Sequence, residues 1–559
     1  MASIDTIIIG SGAGGLSAAV CLARAGQKVL VLEQHYVPGG WCHSFFLNGH
    51  RFSPGVHYIG MLDKGSATSN LYESLGIAND LVFFRMNPAA YEHCWVGGEK
   101  FHLPAGFDAL YQSLAARFPH EQKGLKKYLE LVRTVNEQLQ LIPKMSGFWD
   151  NLTIPFRTAQ LGKYGLFSLK RVIDWHIQDP LLKAVLNVQC GDHGLPPAQA
   201  SFPFHCAVMG HYLEGGFYPS GGGAAIVKAM TSAIKRHGGE VRTGAEVRRI
   251  LVEGSGKAKR AAGVELASGE ILHARQVLSN ADPAKTYQLV GTEHLSPKLQ
   301  TKLSKTSYSV TSLMLFLTVD MDLRGAGLDS GNIWMLRHPD LDQVFGEMKA
   351  SDILSEEEFP ALFISCTTIK DPVSFNGRHH CIEVVTFIDY KAFEEFEAGG
   401  SYRSPAYERY KARITEKLLN SLEKVVPGVR AHIVQQELGT PLTNEFYVQA
   451  TRGNVYGTEK NFWQTGPFAY RNKAEIADLY LCGASILSHG VAGASYSGVQ
   501  TAARILNRSM KELLQPEPGQ AVRIYEAENP AEWPAWVHQK MQDKKRLFRP
   551  LPLLSSAAG

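Results

Sequence analysis

The chain opens on a short apolar run, Thr6 to Ile9, a glycine-rich turn, a small and apolar stretch from Leu16 to Arg24, and a second apolar run, Lys28–Leu32. Short apolar runs bounded by turn residues predict strands buried on both faces, and the small-residue stretch, stopped by Gly26, predicts a helix packed on that sheet. Within residues 120–142, Leu125, Leu129, Val132, Val135 and Leu139 recur at helical spacing, which predicts an amphipathic helix. The runs SLMLFLTVDM, ALFISCTTI and CIEVVTFIDY are dense in β-branched and aromatic residues and predict an antiparallel sheet. No uninterrupted apolar stretch reaches the roughly 18–20 residues that cross a bilayer.

Between the first two strands, Gly10, Gly12 and Gly15 form G-x-G-x-x-G. The first glycine permits the tight turn, the second lets backbone approach a pyrophosphate, and the third lets helix and strand pack closely. The helix N-terminus offers unpaired N–H groups to phosphates. Glu33, at the end of the second strand, is spaced to accept hydrogen bonds from ribose hydroxyls. This unit predicts a dinucleotide site, which NAD and FAD share. The pair Gly39–Gly40 permits a backbone that turns back toward the cofactor. Two distant segments add to it. In residues 214–283 the turn Gly221–Gly223 opens an amphipathic helix, G-G-E-V feeds a strand, and GSGKAK joins a hairpin. In residues 479–506 an apolar strand ends at Gly483 and a loop leads into a small-residue helix, a second N-terminus for the cofactor.

These segments resemble the flavin-dependent polyene oxidoreductases, the family of phytoene desaturases, carotenoid isomerases and, nearest in motif, retinol saturases. The resemblance is carried by LEQHYVPGGWCHSF, RFSPGVHYIG, GGFYPSGG, VLSNADP, TPLTNEFYVQATRGNVYG and LYLCGASILSHGVAGA, and it extends to about Leu506. It implies an α/β fold: a Rossmann-like FAD-binding domain of the amine oxidase and phytoene desaturase type, interleaved with a mixed α+β substrate domain. The FAD-binding domain is expected from residues 1–75, 205–295 and 470–510, the substrate domain from 76–204 and 296–469, and a tail from 511–559. FAD is expected against Gly10, Gly12, Gly15, Glu33, Gly39, Gly40, Gly483 and Gly493, with Val247 near the adenine. The implied reaction is saturation of one double bond of a retinoid or carotenoid. Isomerisation and desaturation are alternatives on the same flavin, and a flavin-bound carrier of an apolar ligand is the non-enzymatic one. No second nucleotide unit for NAD(P)H is legible, so no electron donor is assigned.

A flavin transfers hydride itself, leaving the protein to position groups, exclude water and move a proton. His57 and Tyr58 follow the first flavin segment, and His489 sits in the C-terminal loop; these three are the candidate catalytic residues. Vertebrate saturases carry Thr-Cys where this chain has Ser488–His489. Tyr456 and Arg452 are second-rank candidates for shaping the site.

The 559 residues, 45% hydrophobic, suffice for a large core of two interleaved domains, and a net charge of +4 gives no case for nucleic acid. The eight cysteines occur singly, with no C-x-x-C, so neither a disulfide framework nor a metal site is expected, and a reducing, cytoplasmic location is. The first strand starts within five residues of Met1, so no signal peptide is expected. Residues 145–175 mix Phe148, Trp149, Phe156, Leu166, Phe167 and Trp175 with Lys163, Lys170 and Arg171. They read either as an interfacial segment for peripheral membrane contact or as a lid on the substrate domain. The acidic SEEEF reads as a solvated loop. The tail, with Trp533, Trp536 and a basic cluster, reads equally as disordered, as wrapping its own fold, or as holding a membrane or partner.

Overall fold

A computed structural model describes residues 4–141, 153–154, 156–397 and 404–547. The first strand, Ile4–Ile9, lies in a sheet between Ile271–Ser279 and Val29–Leu32, parallel to both, and Glu240–Arg242 continues the parallel set beyond Val29–Leu32. Alternate side chains serve opposite faces. Ile8 and Val31 pack under Leu16 and Val20 of the helix Ala13–Arg24 and Ile226 and Met230 of the helix Gly223–Arg236. Ile7, Ile9, Leu30 and Leu32 join Val247, Ile250 and Val264 on the other face. Both faces are covered, which is why these strands read as uninterrupted apolar runs. The strand Ile271–Ser279 has a divided edge: its first half pairs antiparallel with the hairpin Val247–Glu253 and Arg260–Leu266, its last three residues pair parallel with Leu479–Leu481.

A second, seven-stranded sheet forms a roof, in the order Ile433–Gly439, Thr311–Val319, His380–Ile388, Ala361–Cys366, Asn332–Leu336, Glu92–Val96 and Glu99–Leu103. The three β-rich runs of the sequence are its centre, antiparallel as expected. Leu313, Leu315, Ile364, Ile382 and Val384 point to one face and pack on Ile414, Leu418 and Leu422 of the helix Pro405–Val425. Met314, Trp334, Phe363, Val385 and Phe387 point to the other. The helix Gln122–Leu141 buries Leu125, Leu129, Val132 and Val135, as its periodicity predicts.

The described part of the tail, to residue 547, wraps its own fold. Arg523–Glu526 pairs in parallel with Val82–Arg85, and Trp533 and Trp536 pack around Phe84, Ala527 and Val537. Of the segment 145–175, Phe148 and Trp149 lie outside the described residues; Phe156, Leu166 and Trp175 are exposed. Arg171 lies over the rings of Phe167 and Trp175, at 4.9 and 5.5 Å. No helix among the described residues is long and apolar enough to cross a membrane.

The helix Ala13–Arg24 crosses the helix Gly490–Leu506 so closely that a Cβ on Gly498 would lie 2.0 Å from the Gly14 carbonyl oxygen. Gly498→Ala is therefore expected to destabilise the fold by about 1–3 kcal/mol. Gly346→Ala, at an exposed position of the helix Leu341–Met348 with nothing within 4 Å, stabilises it by about 1 kcal/mol. Thermal unfolding of both variants beside the parent reads the opposite signs; a neutral Gly498→Ala would show that the two helices can separate freely.

Candidate active site

A cavity of about 660 Å³ lies between the two sheets. One part is lined by the glycine turns: Gly10 and Gly12, Glu33, Gly39 and Gly40, the strand start at Val247, and Gly483 with His489–Val491. The other is apolar, lined by Met314, Trp334, Phe345, Met348, Phe363 and Phe387. The helix Ala13–Arg24 is capped by Gly12 and the helix Gly490–Leu506 by His489, neither through a side chain, so backbone N–H groups at both termini are available to an anion.

The glycine cradle is specific. Asn280, in VLSNADP, threads its amide among three glycines: a Cβ on Gly12, Gly14 or Gly483 would approach its Nδ2 or Oδ1 to 2.7, 2.6 and 2.8 Å. Gly15 sits beneath the turn, where a Cβ would meet the Gly10 carbonyl oxygen at 2.2 Å, and does not line the cavity. Gly493 also falls away from it, against Ser488; Gly490, Val491 and Ala494 of the same helix line the cavity instead, correcting the expected contact. Glu33, buried at the cavity wall, accepts hydrogen bonds from the Ser11 N–H at 2.9 Å and hydroxyl at 2.5 Å and from the His35 N–H at 3.0 Å. Ser11, which no motif marks, thus fixes the Glu33 carboxylate at the cavity wall.

A row of polar side chains crosses four strands of the roof. Glu92 pairs with Asn332, Asn332's neighbours in register lead to Ser365, and Ser365 pairs with Glu383. All four are 0–1% exposed. The buried Lys370 donates to Asn332 Oδ1, to Ser365 Oγ at 2.7 Å and to the His57 carbonyl at 2.9 Å; its three N–H groups each have an acceptor. Burial pulls its pKa down to about 7, against the pull of the surrounding acids. The segment His57–Tyr58 is fastened to both ends of this row. Glu383 Oε2 accepts from His57 Nδ1 at 3.0 Å while its Oε1 accepts the Ser53 N–H at 2.7 Å. Tyr58 Oη lies 2.6 Å from Glu92 Oε1 and 2.6 Å from Asp192 Oδ2, its ring stacked on Tyr212 at 3.9 Å.

Of the three expected catalytic residues, the cavity receives two. His57 and His489 line it; Tyr58 stands behind the wall, its hydroxyl spent on the two carboxyls. His489 differs from expectation in chemistry. Its Nε2 is 2.6 Å from the Asp192 carbonyl, an acceptor only, so Nε2 carries the hydrogen and Nδ1 holds a lone pair. Burial, with the neighbouring Lys460, pushes the pKa down to about 3. A ring held neutral, with its one N–H given to backbone, is an acceptor and not a proton donor. Among the described residues its Nδ1 is buried without a hydrogen-bond partner and suits a donor on a bound group. Tyr456 lines the cavity, donating to the Gly191 carbonyl at 2.9 Å with its ring 4.6 Å from His489. Arg452 turns outward to Glu394 at 2.5 Å, half exposed, and takes no part.

Two helix N-termini open to an anion, a buried acid beside the first and an adjoining apolar chamber are the parts of a flavin-dependent oxidoreductase. The family model for flavin containing amine oxidoreductases matches residues 13–506, and the chain belongs to that family; its cofactor is FAD. The chain is 30% identical to the all-trans-retinol 13,14-reductase of Homo sapiens over 91% of its own length and 86% of that protein's. It is 26% identical to the chloroplastic prolycopene isomerase of Daucus carota over 90% and 80%. Among solved structures, cyclohexylamine oxidase from Brevibacterium oxydans shares the fold, with a TM-score of 0.54 and 15% identity over 90% of this chain and 100% of that one.

Replacing Glu33 by Ala removes charged hydrogen bonds worth about 1.5–3 kcal/mol, so FAD titrated into apoprotein should bind roughly ten- to hundredfold more weakly; unchanged affinity would remove Glu33 from the ribose site. A second expectation concerns acid. Burial pushes His205, His211 and His380 down to about 4 and His489 to about 3. Between those values and the ordinary 6.5 the unfolded chain binds more protons, so stability is full above about pH 6.5 and is lost as pH falls toward 4. Melting temperature followed across that range should decline steadily, and less steeply in His489→Asn.

Proposed function

We propose that this protein reduces one carbon–carbon double bond of a long conjugated polyene, a retinoid or a carotenoid. The observation that carries the proposal is the aromatic and aliphatic chamber continuous with the flavin site: Trp334, Phe345, Phe363 and Phe387 offer surface to a flat, uncharged chain. The reductase name borne by the human relative supports the same reading.

When bound and reduced, the flavin supplies a hydride equivalent. Around it, the chain's residues bind and orient. Glu33 with Ser11 holds the ribose, and the two helix termini hold the phosphates. His489 Nδ1 accepts a hydrogen bond from the bound group, and the roof closes the chamber to water. Conjugation spreads the charge that develops on the substrate, so no carbonyl need activate it. A second reading, cis–trans isomerisation without net reduction, draws on the carrot relative's name; the same chamber would admit its substrate.

The exposed Phe156, Leu166 and Trp175, beside Lys163 and Lys170, support a peripheral membrane contact at the lid, where an apolar substrate would leave a bilayer. Vesicles containing anionic lipid should sediment the protein at low salt, and Phe156→Ser with Trp175→Ser should weaken this; a protein left in the supernatant would make residues 145–175 a lid alone.

Anaerobic reduction followed by mass analysis of offered polyenes tests the reaction. A gain of two hydrogens with reoxidation of the flavin is expected. An unchanged mass with altered double-bond geometry would favour isomerisation, and a loss of two hydrogens would reverse the direction.

A further inference from the structure

The junction of Tyr58, Glu92 and Asp192 contains a proton that the chain has to hold somewhere. A phenol has one hydrogen, yet Tyr58 Oη is 2.6 Å from both Glu92 Oε1 and Asp192 Oδ2. It can donate to only one of them. The other oxygen at hydrogen-bond distance must bring a hydrogen of its own, so one of the two carboxyls is an acid.

The surroundings choose which. Glu92 accepts from three donors: Tyr58, the Trp334 indole N–H at 3.0 Å and the Gln189 amide at 3.1 Å. It also shares its row with the ammonium of Lys370. Burial raises the Glu92 pKa too, but those contacts pull it back toward the carboxylate. Among the described residues, the Asp192 carboxyl has Tyr58 as its single hydrogen-bond partner. Burial, and then the negative charge of Glu92, raise its pKa well above the ordinary range. The order is therefore Asp192 O–H to Tyr58 Oη, and Tyr58 O–H to the Glu92 carboxylate. The other groups facing the junction add no cation beside Asp192. Tyr212 and Tyr456 are held protonated by burial, and His193 and His489 are held neutral by it.

Asp192 also lines the cavity, and its backbone carbonyl anchors His489. We propose that Asp192 is the catalytic acid that protonates the substrate carbon, with Glu92 and Tyr58 as positioning residues: Glu92 keeps it protonated beforehand, and Tyr58 donates to the carboxylate left behind. This rests on the reduction proposed above. Saturating one double bond adds a hydride equivalent, from the two-electron reduced flavin, and a proton. The Asp192 hydroxyl turns from Tyr58 toward the cavity that the residue lines, its O–H bond breaks as the C–H bond forms, the electron pair stays on the Asp192 carboxylate, and the Tyr58 hydroxyl swings its hydrogen from Glu92 to Asp192. The proton is replaced from water before the next turnover.

Two measurements test this. The first needs no turnover: infrared spectra of the FAD-loaded protein at pH 7 should contain a protonated-carboxyl C=O band that shifts in heavy water. The band should vanish in Asp192→Asn and move in Tyr58→Phe, which leaves both carboxyls but removes the bridge. No such band in the parent, or one that survives in Asp192→Asn, overturns the assignment. The second mixes reduced protein with a polyene that the parent reduces. Asp192→Asn, with parental FAD content and melting temperature, should reoxidise about 10²–10⁴-fold more slowly; reoxidation at the parental rate overturns the role. If the parent reduces no polyene while the band behaves as expected, the reduction reading fails and the proton's location stands.

Discussion

Burying charge in a sheet core is costly unless each charge meets partners, and the roof meets that demand with a single buried lysine. Lys370 stands at the middle of the row Glu92–Asn332–Ser365–Glu383, with all three of its hydrogens engaged. Because one of them goes to the His57 carbonyl, the same cation that offsets two glutamates also holds the segment beneath the roof. Glu383 then sets the orientation of His57, and Glu92 that of Tyr58. Remove the lysine and the two glutamates remain buried without a cation between them. The cost would fall on the geometry of the cavity wall before it fell on the outer strands.

The flavin half of the molecule was legible because its chemistry is local. Three glycines, a closing Gly26 and an acid lie within about thirty residues, and each does its work through backbone near itself. Roof strands were legible for a similar reason: covered on both faces, they read as unbroken apolar runs. What could not be read were contacts between residues far apart. Tyr58, Glu92 and Asp192 meet across three elements, and nothing in GVHYIG marks where the hydroxyl ends. A signal did exist in the strands themselves. Glu383 interrupts CIEVVTFIDY and Glu92 opens EHCWV, and a charged residue at an inward position of a buried strand demands a partner. His489 shows the opposite limit. It lines the cavity, but whether it gives or accepts a proton depends on a carbonyl 297 residues away in the chain.

The glycines of the cofactor turn also serve packing that the motif does not advertise. Gly12, Gly14 and Gly483 make room for the Asn280 side chain, and Gly498 makes room for the Gly14 backbone. Substitution at these positions would therefore alter the shape of the protein as well as its grip on phosphate. Loss of flavin in such variants is not, by itself, evidence of a lost phosphate contact.

The tail strand Arg523–Glu526 lies beyond residue 506, where the family match ends, yet it covers one side of Val82–Arg85. A fragment trimmed to the family boundary would keep every cofactor residue and still uncover the backbone of Val82–Arg85 together with Phe84, now fully buried. An uncovered strand edge beside an exposed aromatic ring recruits strands from other molecules. Expression boundaries drawn from the family alone would thus invite precipitation, and the insoluble product would be easily misread as a failure of the flavin domain to fold.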